Sequence, residues 1–371
     1  MSLSLLPCGK IVRMLETLPK APKSLGRTRH VLNSSALAVM GKSNPLGFEP
    51  VRSVIVVLVD GLGYRQLEQV AGHAPTVWKN SSPIKSAFPA TTSVNIKSFA
   101  TGLPPAEHGF LGYKLRHKQG VSNLLSDLDK IDINEFDTVK NITQISSQCE
   151  YSVVSSAEYE NSGFSRVTMT GANYVPAESI DERFERAVAI VKKPRQVVYL
   201  YIPELDKTGH KEGWGSKTWL RYLEELDSSV ARAARGGANL VLTSDHGMVN
   251  TTASEQIHLD NYVAAEDIEA MVGDTRCVYL HTKLGKAHLS NLLQGEQLDV
   301  FESQEVESAG WFGGEVREEF RYRLPEIILM ARGNSVILHK DFNTERAYKM
   351  VGHHGTFADN ELEVPLMRIG L

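Results

Sequence analysis

A chain of 371 residues is long enough for one large domain with an insertion, or for two ordinary ones. With 42% apolar residues, 23% charged residues and a net charge of −4, its composition is that of a soluble globular protein, with no general electrostatic case for nucleic-acid polymers or membrane surfaces. No apolar run is long enough to span a bilayer, and Cys8, Cys149 and Cys277 are too dispersed for a disulfide framework or a thiolate metal site, so a cytoplasmic protein is expected.

The opening MSLSLLPCGKIV has only a short apolar patch with no basic residue before it. Residues 1–47, rich in Pro, Ser, Lys and Arg, read as a solvated arm lying over a main domain at 48–371. From Val51 the texture changes: VRSVIVVLVDGLG is a continuous β-branched run that ends at Asp60, Gly61 and Gly63. A run without polar alternation predicts a strand covered on both faces, as in a parallel sheet.

The next informative stretch is FPATTSVNIKSFATG, residues 88–102. Pro89 disfavours helix before it, while Ser93, Asn95, Ile96, Phe99 and Ala100 follow helical spacing up to Gly102. One of the hydroxyls of Thr91 and Thr92 is therefore placed where free N–H groups and the helix dipole favour an anion, a simple N-cap being the competing reading. Two more apolar runs follow, VVYLYIPELD to Asp206 and NLVLTSDHG to Asp245 and His246. Helical patterns at 181–192 and 216–235 precede them, so strand and helix alternate. Residues 272–312 are less regular and read as a small inserted α+β subdomain.

Three apolar strands each running into a carboxylate are the central observation. In open α/β sheets the ligand site lies beyond the carboxyl ends of the strands, which would gather Asp60, Asp206 and Asp245 at one edge. Anions crowded together repel unless cations neutralise them, so a metal centre is expected. Asp206 and His210 are four residues apart and can turn to one ion; Asp245 and His246 are adjacent, which suits two ions close together; and GHHG offers His353 and His354. Mixed imidazole and carboxylate donors favour two zinc ions, with manganese as the alternative. Two such ions near a helix N-terminus would let a threonine hydroxyl attack phosphorus, with the Asn95 amide one turn along to donate to a phosphoryl oxygen. Asp60-Gly61-Leu62-Gly63 does not make a dinucleotide loop, because the third glycine is replaced by Gln66 and an acid at the strand tip would repel a pyrophosphate.

VLVDGLG, FPATTSVNIKSFATG with LPPAEHGF after it, PELDKTGH, SDHGM and HHGTFADNELEVPLM occur in that order, and the set resembles the alkaline phosphatase superfamily, specifically its type I phosphodiesterase and nucleotide pyrophosphatase branch. The resemblance covers residues 51–371. It implies an α/β three-layer sandwich with a mainly parallel sheet. It further implies one metal on Asp206, His210 and His354, a second on Asp60, Asp245, His246 and the nucleophile Thr92, and phosphate binding by Asn95. Thr91 is the nearest competitor to Thr92, and members of the family pass through a covalent phospho-enzyme. His108 is expected to be structural, and His73, His117, His258, His281, His288 and His339 to be surface or packing residues, while Tyr113, Lys114, Arg116 and Tyr159 are candidates for the substrate side.

A monoesterase would profit from an arginine beside the nucleophile, and no motif places one there, so phosphodiester or pyrophosphate hydrolysis of a small nucleotide-type substrate is the expected activity. Phosphomonoester or phosphonoacetate-type hydrolysis is the alternative, and a metal- or ligand-binding protein without catalysis the second. A sulfatase is excluded by the missing CxPxR-type motif, and a cofactor-independent phosphoglycerate mutase by the absence of its serine and large insertion.

Overall fold

The computed structural model describes residues 18–145 and 148–371. Five parallel strands lie side by side in the order Asn173–Pro176, Glu150–Ser155, Gln196–Ile202, Val54–Val59 and Leu240–Ser244. Glu363–Ile369 joins Leu240–Ser244 antiparallel and carries Ser81–Lys85 at the far edge, completing seven strands.

Val54–Val59 is buried at every position because both of its faces are covered. Ile55, Val57 and Val59 pack with Phe184, Leu223, Leu226 and Val230 of the helices Ile180–Val191 and Lys217–Arg235. Val54, Val56 and Leu58 pack on the other side with Val31, Leu32, Ile96 and Phe99. Each such side chain stabilises the fold by roughly 1.5–3 kcal/mol on burial, and their alternation gives the sheet its two helical layers. Both flanking helices start where a serine accepts from the first-turn backbone, Ser179 from Glu182 N–H and Ser216 from Trp219 N–H.

The expected solvated arm differs from what is found. Residues 30–39 form a helix, His30–Val39, whose Val31, Leu32, Ser35, Ala36 and Val39 recur at helical spacing and are buried on the sheet. Apolar periodicity there outweighs the basic composition around it. The opening apolar patch and Cys8 lie outside the described residues.

A second sheet, with strands Ile268–Gly273, Cys277–Thr282, Ile327–Ala331 and Leu298–Glu302 in that order, is antiparallel throughout. The irregular stretch 272–312 lies inside this layer, which extends over 268–331 and includes the helices Lys286–Leu292 and Ser303–Ser308. Cys277, Tyr279, Phe301 and Phe312 pack with Phe88, Phe110, Leu111 and Phe136, so the small sheet is fixed against the segment that leads into Thr92. Among the described residues no helix is long and apolar enough to cross a membrane.

Candidate active site

Thr92 opens the helix Thr92–Thr101, which is buried along its whole length and stops at Gly102, whose φ of 74° favours glycine. Thr91, extended at φ −142°, is the residue before it, but its side chain does not cap the helix; Thr91 Oγ1 donates to Asp274 Oδ1 at 3.3 Å. Thr92 Oγ1 instead lies 3.1 Å from His246 Nε2. The two threonines thus face different neighbours, and Thr92 is the one that meets the histidine and carboxylate cluster.

Asn95 does not hold the position expected of it. Its Oδ1 accepts from Ala87 N–H at 2.7 Å, and its Nδ2 lies within donating distance of the carbonyls of Ala87, Pro89 and Thr91 at 3.1–3.2 Å. A short amide one turn into a helix reaches back over the N-terminal turn rather than forward to a substrate, so Asn95 staples the loop that presents Thr92. Lys97, buried on the same helix, donates to Val167 O at 2.6 Å and ties that helix to the wall Gly163–Thr168; burial pushes its pKa down to about 8.

The carboxylates arrive from strand ends. Val59 is paired with both Ile202 and Ser244, so Asp60 and Asp245 emerge side by side. Asp206 departs from expectation in one respect: its strand stops at Ile202, Pro203 intervenes, and Asp206 lies in the first turn of the helix Glu204–Glu212. One turn on, His210 Nε2 faces Asp206 Oδ2 at 3.3 Å. His246 Nε2 lies 3.4 Å from both Asp60 Oδ1 and Asp245 Oδ2, and the His246 and His354 rings stack at 3.7 Å.

Donor atoms of Asp206, His210 and His354 fall within 4.8 Å of one another, as do those of Asp60, Asp206 and His246. Two features fit metal ions there. Asp60 Oδ1, Asp206 Oδ1 and Asp245 Oδ2 are buried with no hydrogen-bond partner. Each histidine also gives its Nδ1 to a backbone carbonyl: His210 to Gly352 at 2.7 Å, His246 to Gly247 at 3.0 Å and His354 to Ala90 at 2.8 Å. A carbonyl can only accept, so Nδ1 carries the proton and each Nε2 lone pair is left facing the cluster, the second-shell pattern of metal-binding histidines.

Electrostatics point the same way. Burial, and then the charges of Asp245 and Asp206, push Asp60 well above the carboxylate range, even though the Tyr201 hydroxyl donates to it. Burial opposes charge on His210, but Asp206 drives it up to about 9 and is itself held low, against burial, by His210. His354 is pushed well below the ordinary range by burial and by His246 and His210. Divalent cations relieve the repulsion among the carboxylates and take the place of the proton that Asp206 and His210 share.

Close backbone approach makes this assembly possible. A Cβ on Gly352 would come 2.4 Å from Gly209 O, so only a glycine there lets the His354 loop touch the His210 helix. His353 turns away, its Nδ1 2.8 Å from Thr275 Oγ1 and its Nε2 3.2 Å from Met350 O. His108 is wholly buried between Ser98 Oγ and Phe110 N–H, as a structural residue would be.

Two cavities meet at Thr92 and Asp206. One, of about 340 Å³, is lined by Tyr159, Phe164, Tyr174, Tyr199 and Tyr201. The other, of about 580 Å³, is lined by Tyr113, Lys114, Asp274, Asn343 and Arg346. Arg346 is an arginine lining one cavity with Thr92 that no motif announced. Arg116 lines neither cavity and lies near Glu269 and His281. A larger groove of about 1120 Å³ in the small-sheet layer contains none of the cluster residues. Tyr201 and Asp274 were missed by sequence reasoning: Tyr201 is hidden within an apolar run, and Asp274 sits in a turn with no periodic signal.

An αβα sandwich with acids at its parallel-strand ends and a threonine at a helix start is the layout of the alkaline-phosphatase-like hydrolases. Murine ectonucleotide pyrophosphatase / phosphodiesterase 5 superposes with a TM-score of 0.66 at 20% identity, covering 84% of this chain and 87% of that one. Phosphonoacetate hydrolase from Sinorhizobium meliloti 1021 gives 0.65 at 19% identity, covering 87% and 91%. Within that class, the chain belongs to the type I phosphodiesterase / nucleotide pyrophosphatase family, whose model matches residues 54–357. An uncharacterised pyrophosphatase/phosphodiesterase of Schizosaccharomyces pombe is 25% identical over 302 residues, 72% of this chain and 60% of that protein. Ectonucleotide pyrophosphatase/phosphodiesterase 2 of Saccharomyces cerevisiae is 24% identical over 366 residues, 87% and 72%. The chain thus spans less than two thirds of the fission-yeast relative's length.

Proposed function

We propose that the protein hydrolyses phosphodiester or pyrophosphate bonds of small nucleotide-type molecules, with Thr92 forming a covalent phospho-threonine between two in-line displacements. The observation that carries this is the Thr92 hydroxyl at a helix N-terminus, 3.1 Å from His246 Nε2, where two cavities meet. Asp206, His210 and His354 would hold one divalent ion, and Asp60, Asp245, His246 and Thr92 a second, with zinc favoured over manganese by the mixed donors. Ions bound there lower the pKa of the hydroxyl and neutralise charge on the departing oxygen.

The chain supplies the rest. Asn95 fixes the loop that aims Thr92, Tyr201 orients Asp60, and first-turn N–H groups without intrahelical partners face incoming phosphoryl oxygens. The tyrosine-rich cavity offers flat rings for a base to stack on. A murine relative of the same fold has been seen, as an inactive threonine-to-alanine variant, in complex with AMP. Cys149 and Cys277, free and buried, fit the reducing interior of a cell, and fractionation of the tagged protein tests that placement.

The deciding experiment is zinc-supplemented hydrolysis of bis(p-nitrophenyl) phosphate beside p-nitrophenyl phosphate, with kcat/KM for the wild type and Thr92→Ala. Diester cleavage faster than monoester cleavage, and lost in the variant, is expected. Faster monoester cleavage makes the protein a phosphatase, and activity that survives the substitution removes Thr92 from the mechanism.

A further inference from the structure

The two cavities that meet at Thr92 differ in chemistry. Asp60, which lies with His246 beside the Thr92 hydroxyl, lines the aromatic cavity, whereas His210 and His354 line the other. In-line displacement sets the entering and departing oxygens on opposite sides of phosphorus. With attack from the Asp60–His246 side, the leaving group projects past Asp206 into the cavity lined by His210 and His354. As the Thr92 Oγ–P bond forms, the P–O bond to the leaving group breaks, the departing oxygen keeps the electron pair, and the hydroxyl proton passes to solvent.

That second cavity holds three donors that, among the described residues, no acceptor engages. Lys114 is half-buried and makes no hydrogen bond or ion pair; Asp127, the acid that acts on it, is engaged by Lys130 at 2.7 Å and by Asn123 N–H at 2.9 Å. Arg346 has no carboxylate partner, and its neighbour Glu345 is turned to Lys349 at 3.2 Å. The Tyr113 hydroxyl accepts from Asn123 Nδ2 at 2.6 Å and keeps its own proton to donate; it lies within electrostatic reach of Asp274, Arg346 and Asp206. Asp274, the buried acid of the same cavity, accepts from Thr91 Oγ1 at 3.3 Å, and burial pushes its carboxyl up towards the neutral form.

Resting on the reading of Thr92 as the phosphoryl acceptor, we propose that Tyr113, Lys114 and Arg346 form a subsite for an anion carried by the leaving group. Phosphate or carboxylate oxygens beyond the scissile bond would lie there. Substrates whose departing half is itself negatively charged are then preferred over those with a neutral one.

Calorimetry on the zinc-loaded full chain tests this without turnover, using α,β-methylene-ATP, which carries the distal phosphates, against AMP, which lacks them. The wild type binds the triphosphate analogue more tightly. Lys114→Met and Arg346→Met each lower the triphosphate-to-AMP affinity ratio by roughly tenfold, the usual scale of one lost charge-assisted contact, and Tyr113→Phe lowers it less. Lys114→Arg keeps most of the ratio, which a merely structural role would not require. A ratio unchanged within about twofold in the double methionine variant, on this same scale, overturns the subsite.

Competition separates the two anion sources. Displacement of the analogue by inorganic diphosphate that weakens in the double methionine variant assigns the subsite to phosphate, displacement by malonate that weakens likewise assigns it to carboxylate, and displacement that the variant leaves unchanged, or none by either, overturns it. If p-nitrophenyl thymidine 5′-monophosphate is not hydrolysed while the affinity ratio still falls, the subsite stands and the catalytic reading fails; hydrolysis with an unchanged ratio is the converse.

Discussion

The two halves of the histidine and carboxylate cluster are built by opposite strategies. Asp60, Asp245 and His246 leave adjacent parallel strands and are 3%, 1% and 0% exposed, with the 6% exposed Thr92 against them. Asp206 and His210 share one helix, His354 comes from a loop far along the chain, and the side chains of the first two retain 14% and 18% exposure. The buried half is fixed by sheet register, by the Tyr201 hydroxyl on Asp60 and by the Asn95 hydrogen bonds behind Thr92. The open half depends on a glycine crossing and on the Gly352 carbonyl that orients His210. Sheet edges thus supply rigidity for the nucleophile, and the helix-plus-loop half supplies access.

The largest expected effect separates the two threonines. Thr92→Ala should lower kcat by about a thousandfold or more, on the scale of removing a nucleophile, and Thr91→Ala by less than about tenfold; steady-state assays with the order reversed would move the nucleophile. Metal removal sharpens the contrast between the halves. Brief chelation, followed by atomic absorption, should strip one equivalent from the open half roughly tenfold faster than the second, and His210→Ala should bind a single equivalent. Equal release rates would erase the distinction drawn here.

A third test concerns the support of the buried half. Asn95→Ala removes several buried hydrogen bonds and should cost about 2–4 kcal/mol in denaturant unfolding. Lost activity with undiminished stability would instead return Asn95 to the substrate. The last effect is one of pH. Asp274, with its folded pKa raised to about 8 by burial against the opposing hydrogen bond from Thr91 Oγ1, has His210 and Glu361 as charged neighbours. Because the folded state keeps a proton that the unfolded chain releases near pH 4, stability falls as pH rises towards 8, by at most about 1.4 kcal/mol per unit. Asp274→Asn should lack that slope in unfolding midpoints taken at pH 5 and pH 7.5, and parallel curves would reject the protonated carboxyl.

Legibility in the sequence followed the same division. Val54–Val59 and Leu240–Ser244 announce themselves as continuous apolar runs, and parallel pairing then brings Asp60 to Asp245 without further information. Asp206 is misplaced by a strand reading because Pro203 ends the strand three residues earlier and begins a helix. His354, Tyr113, Arg346 and Asp274 come from loops and short elements whose sequence carries no period, and only tertiary packing brings them to Thr92. The helix His30–Val39 shows the converse, an apolar spacing present in the sequence but masked by the basic residues around it.

The strand Glu363–Ile369 fills the place between Ser81–Lys85 and Leu240–Ser244. A polypeptide still emerging from the ribosome at residue 340 already displays Thr92, Asp60 and Asp206, yet it has an open slot in its sheet and lacks His354. His354 therefore joins the cluster only once the stretch before that strand has been made, and the strand then closes the slot. Until then the strands on either side of the slot present unpaired edges open to pairing with another chain.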